Sequence, residues 1–506
     1  MEITLLIFLS SGLFLGWSLG ANDASNVFGT AVASRMIQFT TAAIICSLFV
    51  ILGAVISGAG AAHGLGKLGE LNALAGAFMA AFSAAITVYG MTRAGLPVST
   101  TQAVVGAIIG WNWFSGSITD TAALMKILGT WVACPLLGAL FGALIYKTAT
   151  AVIDRSRIHV LRLDSYTRIG LILAGAFGSY SLGANNIGNV MGVFVPSSPF
   201  TPLSIGDWVT FTSVQQLFFF GAAAIAVGVF TYSKRVMMTV GTGVLPLNPV
   251  GAWVVVISHS IVLFLFSSLT LEHFLASNGL PTIPLIPVSS SQAVVGAVIG
   301  IGLLKGGKAI RWRALGSIAS GWVTTPIFAS IICFVMLFVL QNVFNQVVYH
   351  KVYYELTEPA IEHLREGGVP SAALAPVVGK RVESSVAFRD LLREKTELSG
   401  KSEGKVIEAA RLFPMRITEA GLSRLDTAYL EPAQVDAVTA LEGRTFDHKW
   451  QLQEALAARA PEWRMLPSIK INKSLNKHLG EQLGYIYAEF QVEHADSDAI
   501  SKNVGD

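Results

Sequence analysis

The chain has 506 residues, of which 53% are hydrophobic and 13% charged, and its formal net charge is +3. A mean hydropathy of +0.59 lies outside the range of soluble globular proteins of this size. The composition therefore predicts a polytopic membrane protein and implies no nucleic-acid partner. The three cysteines, Cys46, Cys134 and Cys333, stand in apolar segments without metal-ligand spacing, so we interpret them as small core residues.

Charged residues are concentrated at the C-terminal end of the chain. Residues 1–346 contain 15 Lys and Arg and 8 Asp and Glu, whereas residues 347–506 contain 20 and 24. The first region is predicted to be a membrane body and the second a soluble tail. The tail shows helical periodicity in stretches such as VAFRDLLREKTELSG. It carries no motif that indicates a chemistry or a partner.

The apolar segments of the body form two sets of five predicted spans. About 20 apolar residues are needed for a helix to cross a bilayer. The spans are 3–33, 38–58, 71–89, 97–113 and 121–147 in the first set, and 168–195, 207–230, 250–271, 287–304 and 314–345 in the second. The fourth element of each set is short and begins Pro-Val-Ser, which makes it a candidate re-entrant element; counted as a crossing, it gives each repeat five crossings.

Three sequence motifs occur twice, in the same order. They are GANDASNVFGT at 20–30 and GANNIGNVMG at 183–192, PVSTTQAVVGAIIG at 97–110 and PVSSSQAVVGAVIG at 287–300, and GTWVACP at 129–135 and SGWVTTP at 320–326. Such matched order indicates an internal duplication. We therefore divide the chain into repeat 1 (1–150), a basic connector (151–167), repeat 2 (168–346) and the tail (347–506).

An odd number of crossings per repeat requires that repeat 2 enters the membrane inverted relative to repeat 1. Lys147, Arg155, Arg157, Arg162 and Arg168 lie in or beside the connector, and the positive-inside rule places such a cluster in the cytoplasm. Counting from there puts both termini and the tail on the outer side. The predicted fold is thus an all-α polytopic membrane protein of inverted-topology repeats with broken or re-entrant helices, plus a helical soluble C-terminal tail.

An ionisable residue deep in a membrane span usually marks a transport pathway. Asp23 lies in the interior of the first span, beside Asn22 and Asn26. An ionised carboxylate does not bind an anion, so we predict that Asp23 binds a coupling cation with amide and carbonyl oxygens, or carries a proton. The residues alone do not separate Na⁺ from H⁺.

The Pro-Val-Ser motifs supply hydroxyl groups at the start of a helix, where free N–H groups and the positive end of the helix dipole attract an anion. Two inverted copies would direct two such helix starts at one point near the bilayer midplane. A tetrahedral oxyanion offers acceptors on all sides. The residues concerned are Ser99, Thr100, Thr101 and Gln102, and Ser289, Ser290, Ser291 and Gln292.

These motifs resemble the inorganic phosphate transporter (PiT) family of sodium- or proton-coupled phosphate permeases. The likeness covers about residues 10–340. It implies an inverted-repeat bundle, a homodimer, and phosphate and cations held between the repeats. Carried over by position, the substrate set gains Asn22 and Asn185, and the cation set comprises Asp23, Asn26, Asn186 and Asn189, with Asp23 as the Na⁺ ligand if the coupling ion is sodium.

The chain departs from the family pattern at three positions. Asn186 stands where members often have Asp, and Gln102 and Gln292 stand where many have His. The loss of one carboxylate would remove a cation site, change the stoichiometry, or accompany a different oxyanion such as sulfate.

We therefore expect a secondary active transporter in the cell (inner) membrane that imports inorganic phosphate by alternating access, with Na⁺ or H⁺ as coupling ion and no other cofactor. A permease for sulfate or another tetrahedral oxyanion is the first alternative. An anion channel and a membrane-bound anion sensor are further alternatives. An enzyme is not expected, because no nucleophile is paired with a base and no nucleotide or metal motif occurs.

Overall fold

A computed structural model describes residues 3–492 except 61–64, 66–67, 70, 94–97, 157, 199, 201–202, 206–208, 241–246, 308–309, 399, 424, 426–429, 468 and 470–471. Pro97, the predicted first residue of the fourth element, lies outside the described residues. Every residue that we assign to a binding site is described.

The first half of the body consists of helices at the predicted positions. They are α1 (Ile3–Ala33), α2 (Phe39–Ser57), α3 (Leu74–Arg93), α4 (Thr100–Ser115) and α5 (Thr121–Ser156). The second half repeats this order with α6 (Val160–Met191), α7 (Ser213–Thr231), α9 (Pro249–Ser267), α11 (Ser290–Leu304) and α12 (Trp312–Asn342). Short helices α8 (Ser233–Val240) and α10 (Leu269–Ser277) and a hairpin of β1 (Leu203–Ile205) and β2 (Val209–Phe211) lie between them. The prediction of a helical membrane body is confirmed.

The residues assigned to a connector are mostly helical. Helix α5 continues to Ser156, because nothing between Lys147 and that residue is a Gly or Pro that would end it. Helix α6 begins at Val160, and His159 caps it by accepting a hydrogen bond at 3.3 Å from the N–H of Leu161. Lys147 and Arg155 therefore lie towards the end of α5, and Arg162 and Arg168 towards the start of α6, whereas Arg157 lies outside the described residues.

The Gly-Ala-Asn motifs do not interrupt their helices. Both α1 and α6 run through the motif without a break. Their glycines serve close packing: a Cβ on Gly20 would collide with the carbonyl oxygen of Ile225, and one on Gly183 with that of Val50. The interruption that the repeats contain lies before α4 and α11, which begin at the Pro-Val-Ser motifs and are only 16 and 15 residues long.

The helix pairings show that the two halves are related by an internal two-fold axis. Helix α2 packs on α6 as α7 packs on α1, and α4 packs on α12 as α11 packs on α5. The same glycine contacts occur at equivalent crossings. A Cβ on Gly106 would meet the carbonyl oxygen of Pro326, and one on Gly296 that of Pro135. Each repeat therefore inserts its short helix against the last helix of the other repeat, which is the arrangement expected of an inverted duplication.

Six helices of the described residues are long and apolar enough to cross a membrane. Several carry large apolar side chains on the outside, as α5 does with Val132, Leu136, Leu140 and Leu144. Side chains of this kind at helical spacing are typical of a surface that faces lipid. The chain is a multi-pass membrane protein.

The tail is built from short helices around two small cores. Its helices are α13 (Glu358–Glu366), α14 (Ser385–Lys395), α15 (Lys401–Ala410), α16 (Glu419–Leu422), α17 (Pro432–Thr439), α18 (Lys449–Ala457) and α19 (Lys473–Phe490). Two antiparallel pairs of two-residue strands accompany them, Tyr353–Tyr354 with Val382–Glu383 and Met415–Arg416 with Thr445–Phe446. One core lies around Phe388 and the other around Trp463.

The tail is joined to repeat 1 by specific hydrogen bonds. Asn72 exchanges two of them with the backbone of His350, at 2.8 and 3.0 Å. The indole of Trp111 donates to the carbonyl oxygen of Val348 at 3.0 Å, and the Ser385 hydroxyl accepts from the N–H of Ile118 at 3.0 Å. Val348 is 1% exposed and belongs to the core of the membrane body.

Candidate functional site

The starts of the two short helices meet inside the body. Ser99 caps α4 by accepting from the N–H of Gln102 at 3.4 Å, and Ser289 caps α11 in the same way from Gln292 at 3.3 Å. The caps form because a Ser side-chain oxygen satisfies one of the unpaired N–H groups of a first helical turn. Hydroxyl groups beside these caps form hydrogen bonds with the other repeat.

Two hydrogen bonds between the repeats are related by the two-fold axis. Thr101 donates to the carbonyl oxygen of Val288, and Ser291 donates to that of Val98, each at 3.4 Å. The amides of the Gly-Ala-Asn helices reach hydroxyls of the same two helix starts. Asn26 donates to Ser290 at 2.9 Å, and Asn189 donates to Thr101 at 2.8 Å.

Asp23 is the carboxylate at the centre of this polar cluster and is 4% exposed. One of its oxygens accepts from the Asn22 amide at 3.1 Å and the other from the Asn186 amide at 3.3 Å. Asn186 in turn accepts from Asn185 at 2.8 Å and from Asn189 at 3.2 Å. The carboxylate thus receives hydrogen bonds from neutral amides, and no ion pair to it occurs among the described residues.

The two equivalent asparagines Asn22 and Asn185 have different partners. Asn185 is 0% exposed and is paired twice with the backbone of Val288, donating at 2.8 Å and accepting at 2.9 Å. Asn22 is only half-buried and donates to Asp23. The internal symmetry is therefore broken at the site.

Several buried polar atoms of the cluster have no partner among the described residues. They are Thr100 Oγ1, Gln102 Oε1, Asn189 Oδ1, Gln292 Oε1 and His259 Nδ1. Buried polar atoms are nearly always hydrogen-bonded. Several atoms without a partner in one cluster therefore indicate where a ligand or an ordered water binds. The oxygens are acceptors that suit a cation or a protonated ligand, and the Thr100 hydroxyl is also a donor that suits an anion.

His259 was not predicted from the sequence and lies in the cluster. It is 0% exposed, and its Nε2 atom is 2.9 Å from the hydroxyl of Ser290. It stands in the apolar segment AWVVVISHSIVLFL of α9, where it is the ionisable residue among apolar and hydroxyl side chains. That isolation is the signal by which a search for ionisable residues within spans would have found it.

The structure brings the predicted residues of both repeats together. Hydrogen bonds connect Asn22, Asp23, Asn185, Asn186, Asn189 and Thr101 in one network, and Asn26 with Ser290 and His259 in another. Ser99, Ser289 and Ser291 complete the two helix starts. Thr100, Gln102 and Gln292 lie buried in the first turns of α4 and α11, with side-chain oxygens that lack partners among the described residues. The role of each residue in binding stays a prediction.

An inverted-repeat helical body with a buried polar cluster at the meeting point of two half-length helices defines a membrane transporter. Comparison with known proteins gives the family. A family model described as the phosphate transporter family matches residues 19–333 and 275–358. The chain belongs to the phosphate transporter family, as the resemblance of its motifs indicated, and the expectation that it is not an enzyme is confirmed.

Individual relatives support the assignment. A “Putative phosphate permease” of Methanocaldococcus jannaschii is 27% identical over 337 residues, which cover 66% of this chain and 98% of the relative. One of Pyrococcus furiosus is 25% identical over 404 residues, covering 65% and 94%. A solved structure titled “The sodium-dependent phosphate transporter” has the same fold, with a TM-score of 0.53 and 21% identity, and covers 67% of this chain and 99% of its own. The ranges that match the family model end at residue 358, before most of the tail.

Proposed function

We propose that the protein imports inorganic phosphate together with a coupling cation by alternating access. The observation that supports this most directly is the buried cluster in which hydroxyl-bearing helix starts and the amides beside one carboxylate meet from both repeats. The family and the names of the relatives point to phosphate. The homodimer implied by the motif resemblance is part of the same proposal.

Phosphate would bind at the helix starts of α4 and α11. The hydroxyls of Ser99, Thr100, Thr101, Ser289, Ser290 and Ser291 and the N–H groups of the first turns provide donors, and each helix dipole adds a positive end. These donors are neutral. A site without a fixed guanidinium holds a dianion less tightly than an arginine clamp would, which allows the release that transport requires.

Asp23 would bind the coupling cation. A buried carboxylate that is partnered only by amides retains an uncompensated charge, which costs several kcal/mol in a protein interior. A proton or a sodium ion removes that cost when it binds. The side-chain oxygens of Asn26, Asn186 and Asn189 are the further ligands in this proposal, and sodium is the ion named for the solved structure.

Import of a multiply charged anion into a negative cell interior requires the cation. Each elementary charge that moves through 100 mV gains or loses about 2.3 kcal/mol. A dianion accompanied by two monovalent cations would move without net charge. A third cation would add about 2.3 kcal/mol per 100 mV to the driving force.

Sulfate is the second candidate, because Asn186, Gln102 and Gln292 depart from the pattern of the family that the motifs resemble. The acceptors Asn189 Oδ1, Gln102 Oε1 and Gln292 Oε1, which lack partners among the described residues, favour phosphate instead. Near neutral pH phosphate carries protons that such acceptors can bind, whereas sulfate carries none.

Uptake of radiolabelled phosphate into proteoliposomes of the purified protein tests the proposal. Sodium and proton gradients are imposed separately, and unlabelled sulfate is the competitor. We expect saturable uptake driven by one gradient and not inhibited by sulfate. Uptake of sulfate in preference to phosphate would assign the second candidate, and flux that neither saturates nor responds to either gradient would indicate an anion channel.

A further inference from the structure

A small cavity opens beside the polar cluster, on the side that the charge pattern predicts to be cytoplasmic. It is lined by residues of α1 and α3 and by the chain around α8, among them Trp17, Asn22, Tyr89, Arg93 and Tyr232. Its volume is about 40 Å³, and a water molecule needs at least about 10–15 Å³. The cavity, which we call the neck, therefore has room for a few waters.

The neck reaches the buried site through Asn22. This side chain is half-buried and faces the cavity, while its amide donates to Asp23 at 3.1 Å. Asn22 therefore contacts both the polar cluster and the neck. Arg93, in the last turn of α3, is one of its exposed lining residues and marks its mouth.

Arg93 provides a positive charge at the mouth of the neck. The side chain is exposed, and its Nη1 atom donates to the hydroxyl of Tyr89 at 3.3 Å, with the guanidinium 5.9 Å from the centre of the Tyr89 ring. Among the described residues no Asp or Glu forms an ion pair with it. Most of its donors therefore remain available to an anion.

The internal two-fold axis relates the neck to an equivalent position on the predicted outer side of the body, where the residues differ. Tyr180 replaces Trp17 there and shares a 2.7 Å hydrogen bond with Ser57, the equivalent of Tyr232. When Gly76-Ala77 of α3 is aligned with Gly251-Ala252 of α9, Ser268 falls at the position of Arg93, so the charge is absent there. The corresponding contact on the inner side is the one between the rings of Trp17 and Tyr232, whose centres are 5.8 Å apart.

We propose that Arg93, with Tyr89 and Asn22, forms a release subsite for the oxyanion on the cytoplasmic face, distinct from the site between the helix starts. This rests on the proposed function. The buried site holds the anion with neutral donors, so an exposed guanidinium along the exit gives the departing anion a charged partner before it reaches water. The negative potential of the cytoplasm opposes that departure, and a cation at the mouth reduces the barrier.

The test compares oxyanion affinity at the two faces of the membrane. Protein is reconstituted in separated inside-out and right-side-out proteoliposomes, and half-saturation for phosphate exchange is measured from each face. We expect Arg93→Gln to raise half-saturation at the cytoplasmic face about fivefold, equivalent to about 1 kcal/mol for two unit charges ~4 Å apart in water. Half-saturation at the outer face should not change, and Arg93→Lys should restore most of the affinity.

Lys234→Gln is the matched control. Lys234 is an exposed cation on the same face, 5.7 Å from the centre of the Phe39 ring, and does not line the neck. An equal effect of this control, or an equal effect of Arg93→Gln at both faces, would overturn the subsite. Wild-type transport decides the proposed function separately: if sulfate is carried instead of phosphate, the same two-face comparison is made with sulfate, and if neither is carried, both proposals fall.

Discussion

Asp23 has Asn186 as its counterpart in repeat 2. An amide nitrogen there replaces a carboxylate oxygen, so only repeat 1 contributes a negative charge at this pair of positions. The Asn186 amide donates to Asp23 at 3.3 Å, so the position equivalent to the carboxylate has become one of its hydrogen-bond donors. A second carboxylate at this distance would repel the first unless a cation lay between them. The asparagine allows the cluster to close around one charge.

We expect Asp23→Asn to abolish cation-coupled uptake while the protein stays folded. The variant keeps the size of the side chain but removes the charge that, in the proposed mechanism, binds Na⁺ or the group that carries H⁺. The measurement is gradient-driven phosphate uptake in proteoliposomes, with size-exclusion chromatography as the test of folding. Asp164→Asn is the control, because this exposed carboxylate pairs with Arg168 on the surface of α6. Full uptake by Asp23→Asn would refute the assignment.

His259 fixes the hydroxyl of Ser290 together with Asn26, since a nitrogen of each lies 2.9 Å from that oxygen. We expect His259→Phe to raise half-saturation for phosphate about three- to tenfold, the equivalent of one net hydrogen bond of about 0.5–1.5 kcal/mol. The equivalent residue of repeat 1 is Ala84, so Ala84→Ser provides a control at a buried position that lacks this contact. An unchanged half-saturation in His259→Phe would exclude Ser290 orientation as its role.

The asparagines and hydroxyls of the site could be predicted because they are polar residues repeated inside apolar spans. His259 has no histidine counterpart in repeat 1, so the duplication gave no indication of it, and its contact with Ser290 arises only when α9 packs against α11. The different partners of Asn22 and Asn185 were also beyond prediction, because the two motifs are almost identical and only the conformation distinguishes them.

At the scale of the elements, the short helices α4 and α11 depend on glycine for their position. Gly106 and Gly296 bring the backbone against Pro326 and Pro135 of the opposite repeat. Small residues allow membrane helices to approach this closely, and van der Waals contact then stabilises the pair. These two contacts determine how deep in the body the hydroxyls of Ser99 and Ser289 lie.

Gly106→Ala should separate α4 from α12 and destabilise the body by about 1–3 kcal/mol, the usual cost of overpacking. We expect a lower melting temperature in detergent and reduced uptake. Gly129→Ala is the control, because Gly129 is exposed in α5 and a Cβ added there would have no neighbouring atom within 4 Å. Equal melting temperatures for the two variants would contradict the packing role.

Span positions were predicted to within a few residues at most ends because hydropathy alone determines them. The start of α6 is an exception: it lies at Val160 rather than 168, because the first turns of this helix extend beyond the apolar segment. The uninterrupted course of α1 and α6 could not be read from their glycines, because a glycine that bends a helix and one that admits a neighbour look the same in sequence.

At the scale of the whole molecule, the membrane body and the tail share residues near their boundary. Val348 is buried in the body. Its carbonyl oxygen accepts a hydrogen bond from the Trp111 indole and would collide with a Cβ on Gly76. A charge-based division at 346 could not detect this, because the segment 347–350 is short and contains no charge except that of a protonated histidine. The division of the chain into domains otherwise stays a prediction.

A chain that ends at Lys351 should therefore transport, whereas a chain that ends at Gln346 should be unstable. The shorter chain loses a buried Val, worth about 1.5–3 kcal/mol, and leaves the Trp111 indole without its acceptor, at a cost of about 1–3 kcal/mol. Melting temperature and phosphate uptake of the two truncations provide the measurement. Loss of uptake in both, with the longer chain still folded, would instead assign the tail a part in transport.

The tail should lose stability as pH falls below about 6.5. Burial lowers the pKa of His448, which is 1% exposed, donates from Nδ1 to the Arg411 carbonyl at 2.9 Å, and is surrounded by Asp447, Glu355 and His363. The unfolded chain takes up a proton near pH 6.5 that the folded tail does not, so stability is present above that pH and is lost below it. The rate of tail proteolysis in the full chain, at pH 7.5 and 5.5, measures this.

In that experiment His448→Gln should reduce the pH dependence, although it also lowers stability at pH 7.5. His478→Gln is the control, because His478 is an exposed tail residue. If the wild type and His448→Gln respond equally to acid, another group is responsible.

The internal two-fold axis has an energetic consequence for the proposed alternating-access cycle. If the halves were identical in sequence, exchanging their conformations would turn the inward-facing molecule into an outward-facing one of equal free energy, and each would be half populated. A bias of tenfold needs only about 1.4 kcal/mol. The resting orientation is therefore set by the positions where the halves differ, such as Asp23 against Asn186, Ala84 against His259, and Arg93 against Ser268. Substitutions at these pairs would therefore change the ratio of inward-facing to outward-facing conformers of the empty transporter.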